Sequence, residues 1–195
     1  MKSTEKSVDQ AVESFSKHGI IARGDRWWMI GDGKSSVFQT TVFANPRGEI
    51  TVQGDTDLCS FAFGPKNARG AVNWIGRQRF DGYVCEKASI GTTCHEMVWK
   101  FDSDALRESI EYWISEYESD AAEGEASPSR LAALNRALED IDREEPLTIL
   151  NELIDENVIE WEDMHSAEIP TTRVIYAWAA IQRLNELLNA EDSST

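Results

Sequence analysis

The residues best suited to chemistry lie together at Cys94, His95 and Glu96. With Cys85 and Cys59 upstream, they could form a zinc site or supply a thiol nucleophile with its base. Structural zinc needs closely paired ligands, but 25 residues separate Cys59 from Cys85 and 8 separate Cys85 from Cys94. Adjacent strand residues also point to opposite faces, so Cys94 and His95 could not serve one centre there. We therefore predict reduced, buried, structural cysteines.

Carboxylates in predicted turns offer a second candidate chemistry. A divalent cation could be bound by Asp55 and Asp57 together with either Asp25 or Asp32. Carboxylates in hairpin turns more often accept hydrogen bonds from their own backbone, so we interpret these four as turn residues.

The segment 31–36 ends like a phosphate-binding loop, with Gly33-Lys34-Ser35. Trp28 stands where the first glycine of that motif belongs, and a strand-like sequence follows in place of a helix. The pattern therefore favours a hairpin turn. We predict no catalytic residue, no cofactor and no metal ligand, while a small enzyme or metal-binding protein that uses Asp55/Asp57 or Cys94-His95 stays as an alternative.

The basic segment 66–80 places four cations, Lys66, Arg69, Arg77 and Arg79, near Trp74 and Phe80. Single-stranded nucleic acid binders combine these residue types. Four cations are few, however, and a protein with a pI of about 4.5 repels phosphate at long range. We favour an amphipathic helix with a solvated basic face, and docking of this face on the acidic half of the same or another copy is the alternative.

Negative charge is concentrated in the second half of the chain. Residues 1–101 contain 13 Lys+Arg and 11 Asp+Glu, whereas residues 102–195 contain six Arg, no Lys and 24 Asp+Glu. Adaptation to salt would acidify the whole surface, so a local cause is needed. The densest stretch is Leu150–His165, which has six carboxylates and no Lys or Arg, with Glu145 just upstream.

Helical spacing would align many of these carboxylates. Residues three or four apart on a helix lie on one face at steps of roughly 4.5 to 6 Å, while DNA phosphates lie about 3.4 Å apart along each strand. Two such rows are predicted, one that starts at Glu139 and Asp142 and one formed by Glu152, Asp155, Glu156 and Glu160. We predict that these residues, with Glu162, Asp163 and the aromatic anchor Trp28, bind a partner. A merely solvated acidic face is the alternative.

In size and composition the chain is similar to phage-encoded anti-restriction and anti-CRISPR proteins that imitate DNA, and to immunity proteins that neutralise basic nucleases. We therefore predict a non-enzymatic inhibitor that binds the basic, nucleic-acid-binding surface of a target protein. An immunity-type or chaperone-like adaptor that masks a basic client is the alternative. The predicted partner is a basic protein rather than nucleic acid or a membrane, and a homodimer is left open.

The pattern of apolar and turn residues predicts an α+β fold. It consists of an antiparallel β-sheet with flanking helices, followed by an acidic three-helix C-terminal subdomain. A helix around Val8–Phe15 precedes two hairpins, 25–44 and 49–63. A short helix over 67–77, two strands within 82–101 and a helix from Asp102 complete an α+β domain, 1–118. A linker, 119–129, leads to a helical subdomain, 130–195, whose helices start near Pro128, Pro146 and Pro170. On the second of these helices we expect Leu147, Leu150, Leu153 and Ile154 to face inward, and on the third an apolar stripe of Val174, Trp178, Ile181, Leu184 and Leu188.

The predicted compartment is the cytoplasm. No apolar run approaches the roughly 20 residues that span a bilayer, and the first 15 residues are polar where a signal peptide has an apolar core.

Overall fold

A five-stranded antiparallel sheet organises the first part of the chain. The computed structural model describes residues 2–34, 39–46, 49–54, 57–62, 67–91, 98–123 and 128–193. Each strand pairs with the next in the order β1-β2-β3-β4-β5. The strands are β1 (Gly19–Gly24), β2 (Trp27–Gly31), β3 (Thr40–Ala44), β4 (Glu49–Gly54) and β5 (Asp57–Ala62).

Both predicted hairpins are confirmed by the register. In the first, Trp28 lies opposite Val42, and in the second Val52 lies opposite Cys59. These side chains are buried, as are those of Ile30, Ile50 and Phe61 two residues along their strands. The alternation of apolar and polar residues thus directs one face of the sheet into a core.

Three helices supply the other side of this core. Helices α1 (Lys2–Phe15), α2 (Ala68–Gly76) and α7 (Thr172–Asp192) pack together, and α7 contacts all five strands. The predicted apolar stripe of α7 is confirmed, since its side chains at Val174, Trp178, Ile181, Leu184 and Leu188 are buried. Helix α2 approaches α7 closely at Gly76, where a Cβ would lie 2.6 Å from the Cβ of Asn185.

The prediction of a strand from Gly82 was wrong, because Gly82–Gly91 forms helix α3. The Asp81 carboxylate caps this helix by accepting a hydrogen bond from the Val84 N–H at 3.1 Å. Val84, Cys85 and Ala88 are buried at helical spacing. Of the second strand predicted here, Trp99–Phe101 forms the short strand β6, and residues 92–97 lie outside the described part of the chain.

Residues 99–169 form a second, helical core. It contains α4 (Ser103–Glu123), α5 (Pro128–Asp140), α6 (Pro146–Asp155) and a 3-10 helix at Trp161–Ala167, followed by the short strand β7 (Glu168–Pro170), which pairs with β6. The Asp102 side chain caps α4 by accepting from the Ala105 N–H at 3.1 Å. Buried residues of all three α-helices, such as Leu106, Leu134 and Leu150, share one apolar cluster.

Two details of this helical region differ from prediction. Helix α4 runs on to Glu123 and α5 begins at Pro128, so part of the predicted linker 119–129 is helical. Leu147 was expected to face inward but is 44% exposed. The buried face of α6 is set by Ile149, Leu150 and Leu153, and Leu147 lies off that stripe.

The chain divides into two compact units, and the predicted α+β fold class is confirmed. One unit, here called the neutral unit, comprises residues 1–98 and 170–195; the other, the acidic unit, comprises 99–169. The sequence had placed α4 with the sheet and α7 with the helical subdomain. In the structure α7 belongs with the sheet, because its wide apolar surface is covered by the strands, α1 and α2.

Candidate functional site

The entire net charge of the protein resides in the acidic unit. Its 71 residues contain five Lys+Arg and 21 Asp+Glu, a net charge of -16. The neutral unit contains 14 Lys+Arg and 14 Asp+Glu and has no net charge. Such a division produces a strong negative potential around one folded unit, which is the physical requirement for attracting a basic partner.

Most of the predicted partner-binding carboxylates are exposed. Six of them lie on the surface of the acidic unit: Glu139, Asp142, Glu152, Asp155, Glu156 and Glu160. Asp163 is half-buried and has a structural contact, because its carboxylate accepts a hydrogen bond from the Glu160 N–H at 2.9 Å and so caps the 3-10 helix. The side chain of Glu162 lies outside the described part of the structure.

The predicted row lies only in part on α6 and is interrupted by an arginine. Helix α6 ends at Asp155, so Glu160 lies beyond it, at the N-cap of the 3-10 helix. At about 100° per residue, Glu152, Asp155 and Glu156 fall within an arc of about 100° on the side of α6 away from its core. Arg136 of α5 contacts both carboxylate oxygens of Glu156 at 2.6 Å. In the other predicted row, Asp142 pairs with Arg107 at 2.8 Å. Exposed pairs of this kind contribute about 1 kcal/mol or less, so they only locally reduce the negative surface.

Helices α5 and α6 bring one acid each to a common seam, and only Glu152 of the two belongs to a predicted row. Asp140 and Glu152 line a shallow groove between these helices, together with Arg136 and the apolar side chains of Ala133, Ala137, Ile149 and Leu153. The groove has a volume of about 10 Å³, which is room for about one water molecule. The groove is therefore too small for an organic ligand, and only the surface of a macromolecule could contact it.

The longest acidic row was missed from sequence and lies on α4. Asp104, Glu108, Glu111 and Glu118 are exposed on the side opposite the buried Leu106 and Ile110. Their spacings of four, three and seven residues keep them on one face over roughly 21 Å. This spacing is visible in the sequence, but the segment was interpreted from its apolar residues and not from its acidic ones. Tyr112, next to this row, is 61% exposed.

The acidic residues surround the unit instead of forming one flat patch. Helices α4, α5 and α6 share a single apolar core, and their carboxylates lie on the faces turned away from it. Outward faces of helices around one core necessarily diverge. The arginines that pair with these acids, Arg107, Arg136 and Arg143, all belong to the acidic unit itself.

Trp28 cannot be the exposed aromatic anchor, and this prediction was wrong. Its side chain is 6% exposed on the inner face of the sheet. Trp27, the next residue, points to the opposite face and is half-buried. Among the side chains that the structure describes in the acidic unit, Tyr112 is an exposed aromatic residue beside a row of carboxylates.

The phosphate-loop and metal candidates find little support in the described turns. Asp32 accepts a hydrogen bond from the Lys34 N–H at 2.9 Å, which is an Asx-type turn, and strand β3 follows where a phosphate loop would start a helix. No group of three potential metal ligands occurs within the described residues. Asp55, Cys94 and His95, and the side chain of Asp57, lie outside them.

Two thiols of the neutral unit have the structural character predicted for them. Cys59 and Cys85 are buried and unbonded to each other. Burial, with smaller contributions from Asp81 and Cys59, raises the pKa of the Cys85 thiol to about 12. Cys85 is therefore a neutral thiol at physiological pH and a poor nucleophile.

The basic segment 66–80 packs against α7. Arg69 pairs with Asp192 near the end of α7 at 2.5 Å, and the Trp178 indole N–H donates to the Gln78 carbonyl at 3.3 Å. Arg79 and Phe80 line an open cavity of about 290 Å³ with Trp178 and one face of α1. Part of this segment is thus occupied by contacts within the neutral unit, and Lys66 lies outside the described residues.

The chain matches no known protein-family model, and comparisons with curated proteins and with solved structures found no match. None of the described helices is long and apolar enough to cross a bilayer.

Proposed function

We propose that this protein is a non-enzymatic inhibitor whose acidic unit occupies the basic, nucleic-acid-binding surface of a target protein, in the manner of the DNA-mimicking anti-restriction and anti-CRISPR proteins of phages. The observation that carries the proposal is the partition of charge: a net charge of -16 on residues 99–169 and none on the rest. The cytoplasm, where nucleic-acid-binding targets are found, is the compartment in which this inhibitor would act.

The mechanism is competitive occupation of sites that normally hold phosphates. Steps of roughly 4.5 to 6 Å separate Asp104, Glu108 and Glu111 on α4 and the pair Glu152 and Glu156 on α6, a spacing comparable with that of the phosphates on one DNA strand, about 3.4 Å. Between Glu111 and Glu118 the step is roughly 10.5 Å. Lys and Arg side chains of the target would bond these carboxylates in place of phosphate oxygens. The negative field of the whole unit would accelerate the encounter, and Tyr112 would provide an aromatic contact beside the α4 row.

The cost of keeping these charges together supports a functional role. Asp104 and Glu108 are four residues apart on α4, as are Glu152 and Glu156 on α6, and each such like-charge pair destabilises a helix by roughly 0.2–0.5 kcal/mol. A lysine in place of one acid of each pair would turn the repulsion into an attraction. No lysine occurs anywhere from residue 101 to the end of the chain.

The alternative is an immunity-type or chaperone-like adaptor that masks a basic client by shape and apolar contact, with charge secondary. The two functions differ in their response to salt. Binding through carboxylate rows weakens steeply as ionic strength rises and competes with DNA, whereas binding through an apolar surface survives high salt. An enzyme that uses Asp55/Asp57 or Cys94-His95 would instead show turnover that is lost when those residues are replaced.

The test compares two acidic-unit variants with a matched control. One variant carries Asp104→Lys, Glu108→Lys and Glu111→Lys on α4, and another carries Glu152→Lys, Asp155→Lys and Glu156→Lys on α6. The control carries Glu5→Lys, Asp9→Lys and Glu13→Lys, three exposed acids on one face of α1 in the neutral unit. All three variants change the net charge by the same amount. Each tagged protein is incubated with lysate of the host cell, and duplex DNA is added as competitor.

The proposal expects a partner that the unmodified protein retains at about 0.1 M salt and releases at about 0.5 M salt or on addition of DNA. Each acidic-unit variant should retain at least about tenfold less of that partner, and the α1 control should retain it as the unmodified protein does. Equal losses in all three variants, or partners that stay bound in the presence of DNA and high salt, would refute the proposal.

A further inference from the structure

The outer face of the five-stranded sheet, which points away from α7, carries little charge, although the exposed Glu49 of β4 lies at one end of it. One row of outward side chains across it runs through Trp27, Phe43, Thr51 and Ser60, and the next runs from Met29 to Leu58. None of the eight side chains in these two rows is charged. The chain is 28% charged, so about two charges would be expected in eight positions, and more on a face turned to solvent.

This face is also apolar and open. Leu58 is 53% exposed and Phe43 is 42% exposed, the highest values among the large apolar side chains described in the neutral unit. Trp27 lies across the neighbouring strand, where a Cβ on Gly24 would come within 2.4 Å of the Trp27 Nε1. The indole therefore contacts β1 at Gly24, where a side chain on β1 would collide with it.

Two of the four polar side chains in these rows would tolerate removal of water. The Thr51 and Ser60 hydroxyls, at the end of the first row, hydrogen-bond each other at 3.0 Å. A hydroxyl that already has a partner loses little when its surface is buried, whereas an unpaired one loses about 1–3 kcal/mol in such an environment. The face thus combines exposed apolar side chains with paired hydroxyls, which is the composition of a protein interface core.

We propose that this outer sheet face joins two copies of the chain, sheet against sheet, in a two-fold dimer. A basic partner would be attracted by the acidic unit and would find on this face only Glu49, at its end, as a charged contact. A second copy presents the same two uncharged rows, and aromatic and aliphatic side chains from facing sheets interdigitate well. Contact through the acidic units would instead oppose two net charges of -16. This inference does not depend on the proposed function.

The size of the face sets the strength of the dimer. Five strands spaced about 4.8 Å apart and five residues long give a planar footprint of roughly 400 Å² per copy. A pair of copies therefore buries about 800 Å² if each face is counted as flat. Projecting side chains add accessible surface to this, which brings the buried area near the lower limit of about 1,000 Å² for specific interfaces. A reversible dimer with a dissociation constant in the micromolar range is expected at this size.

Sedimentation velocity across roughly 1 to 500 µM protein tests the proposal, because this range spans the expected dissociation constant. The full chain is compared with Phe43→Glu and Leu58→Glu on the face and with Leu147→Glu on α6. Leu147 is the matched control, since it is also a leucine and is 44% exposed. Far-UV circular dichroism identifies any variant that has lost its fold.

The unmodified chain and the Leu147→Glu variant should form dimers as concentration rises, and the dimer should persist at high salt. Each face variant should weaken dimerisation by at least about tenfold, because two carboxylates would be brought together in an apolar interface. A monomer up to about 500 µM overturns the proposal at this interface size. So does a dimer that Leu58→Glu leaves intact or that Leu147→Glu disrupts as strongly.

Discussion

Replacement of Trp28 by alanine should destabilise the sheet of the neutral unit by about 3–5 kcal/mol. The indole is 6% exposed and lies on the inner face of β2 opposite the fully buried Val42. A buried tryptophan removes roughly 150–250 Å² from water, which corresponds to about 4–6 kcal/mol at about 25 cal/mol per Å². Measured losses for large aromatic residues replaced by alanine in cores are about 3–5 kcal/mol. Domains have a total stability of about 5–15 kcal/mol, so the loss is a large fraction of it.

Trp27 provides the matched control, because it is the adjacent residue on the same strand and points to the outer face. Trp27→Ala should cost less than about 2 kcal/mol, since the ring is half-buried and no core collapses around it. Native-state amide hydrogen exchange of the peptides that cover β2 to β4 gives the opening free energy of this sheet without requiring both units to unfold together. If the two variants lower that free energy by amounts within about 1 kcal/mol of each other, Trp28 is not a core residue and its assignment to the inner face is mistaken.

Three further predictions concern packing and ionisation in the neutral unit. Gly76→Ala should destabilise by about 1–3 kcal/mol despite the better helix propensity of alanine, because its Cβ would lie 2.6 Å from the Asn185 Cβ; Gly82→Ala, where no atom lies within 4 Å, should be neutral or stabilising in a urea titration. Cys85 should resist alkylation at pH 8 until urea unfolds the protein. Because its pKa of about 12 in the folded protein exceeds the ordinary thiol pKa of 9.0, its stabilising contribution is present below pH 9 and is lost as the pH rises toward 12. In a stability profile over this range, Cys85→Ala should show a shallower decline than the unmodified chain. Asp81→Ala removes the cap of α3 and should lower the opening free energy of that helix in hydrogen exchange by about 1 kcal/mol.

Much of the secondary structure could be predicted from local pattern. The alternation in β2 to β5 and the apolar stripes of α4 and α7 depend on neighbours along the chain, so they are readable from sequence. Helix α3 was missed because the Tyr83-Val84-Cys85 run favours strands. Two features favour the helix instead. Asp81 caps its N-terminus, and Val84, Cys85 and Ala88 are buried at helical spacing.

Some features of the candidate site could be predicted from the sequence, and others depend on how the helices pack. The excess of acids after residue 101 is a property of the sequence, and the spacing of the α4 row was equally available there. The pairing of Arg136 with Glu156 and of Arg107 with Asp142 joins residues 20 and 35 positions apart. Contacts at such separations depend on how the helices pack, which local patterns do not encode.

Local patterns were enough to show that a run of strands precedes a run of helices, which is an α+β order, and that the negative charge lies after residue 101, because periodicity and composition are local quantities. Which helices pack together depends instead on contacts between distant parts of the chain. Helix α7 lies against the sheet, since an apolar surface of that width needs strands and two helices to cover it. Because α7 packs there, residues 99–169 form a separate unit that has the whole net charge of -16. For the same reason the inner face of the sheet, where Trp28 lies, is part of the core.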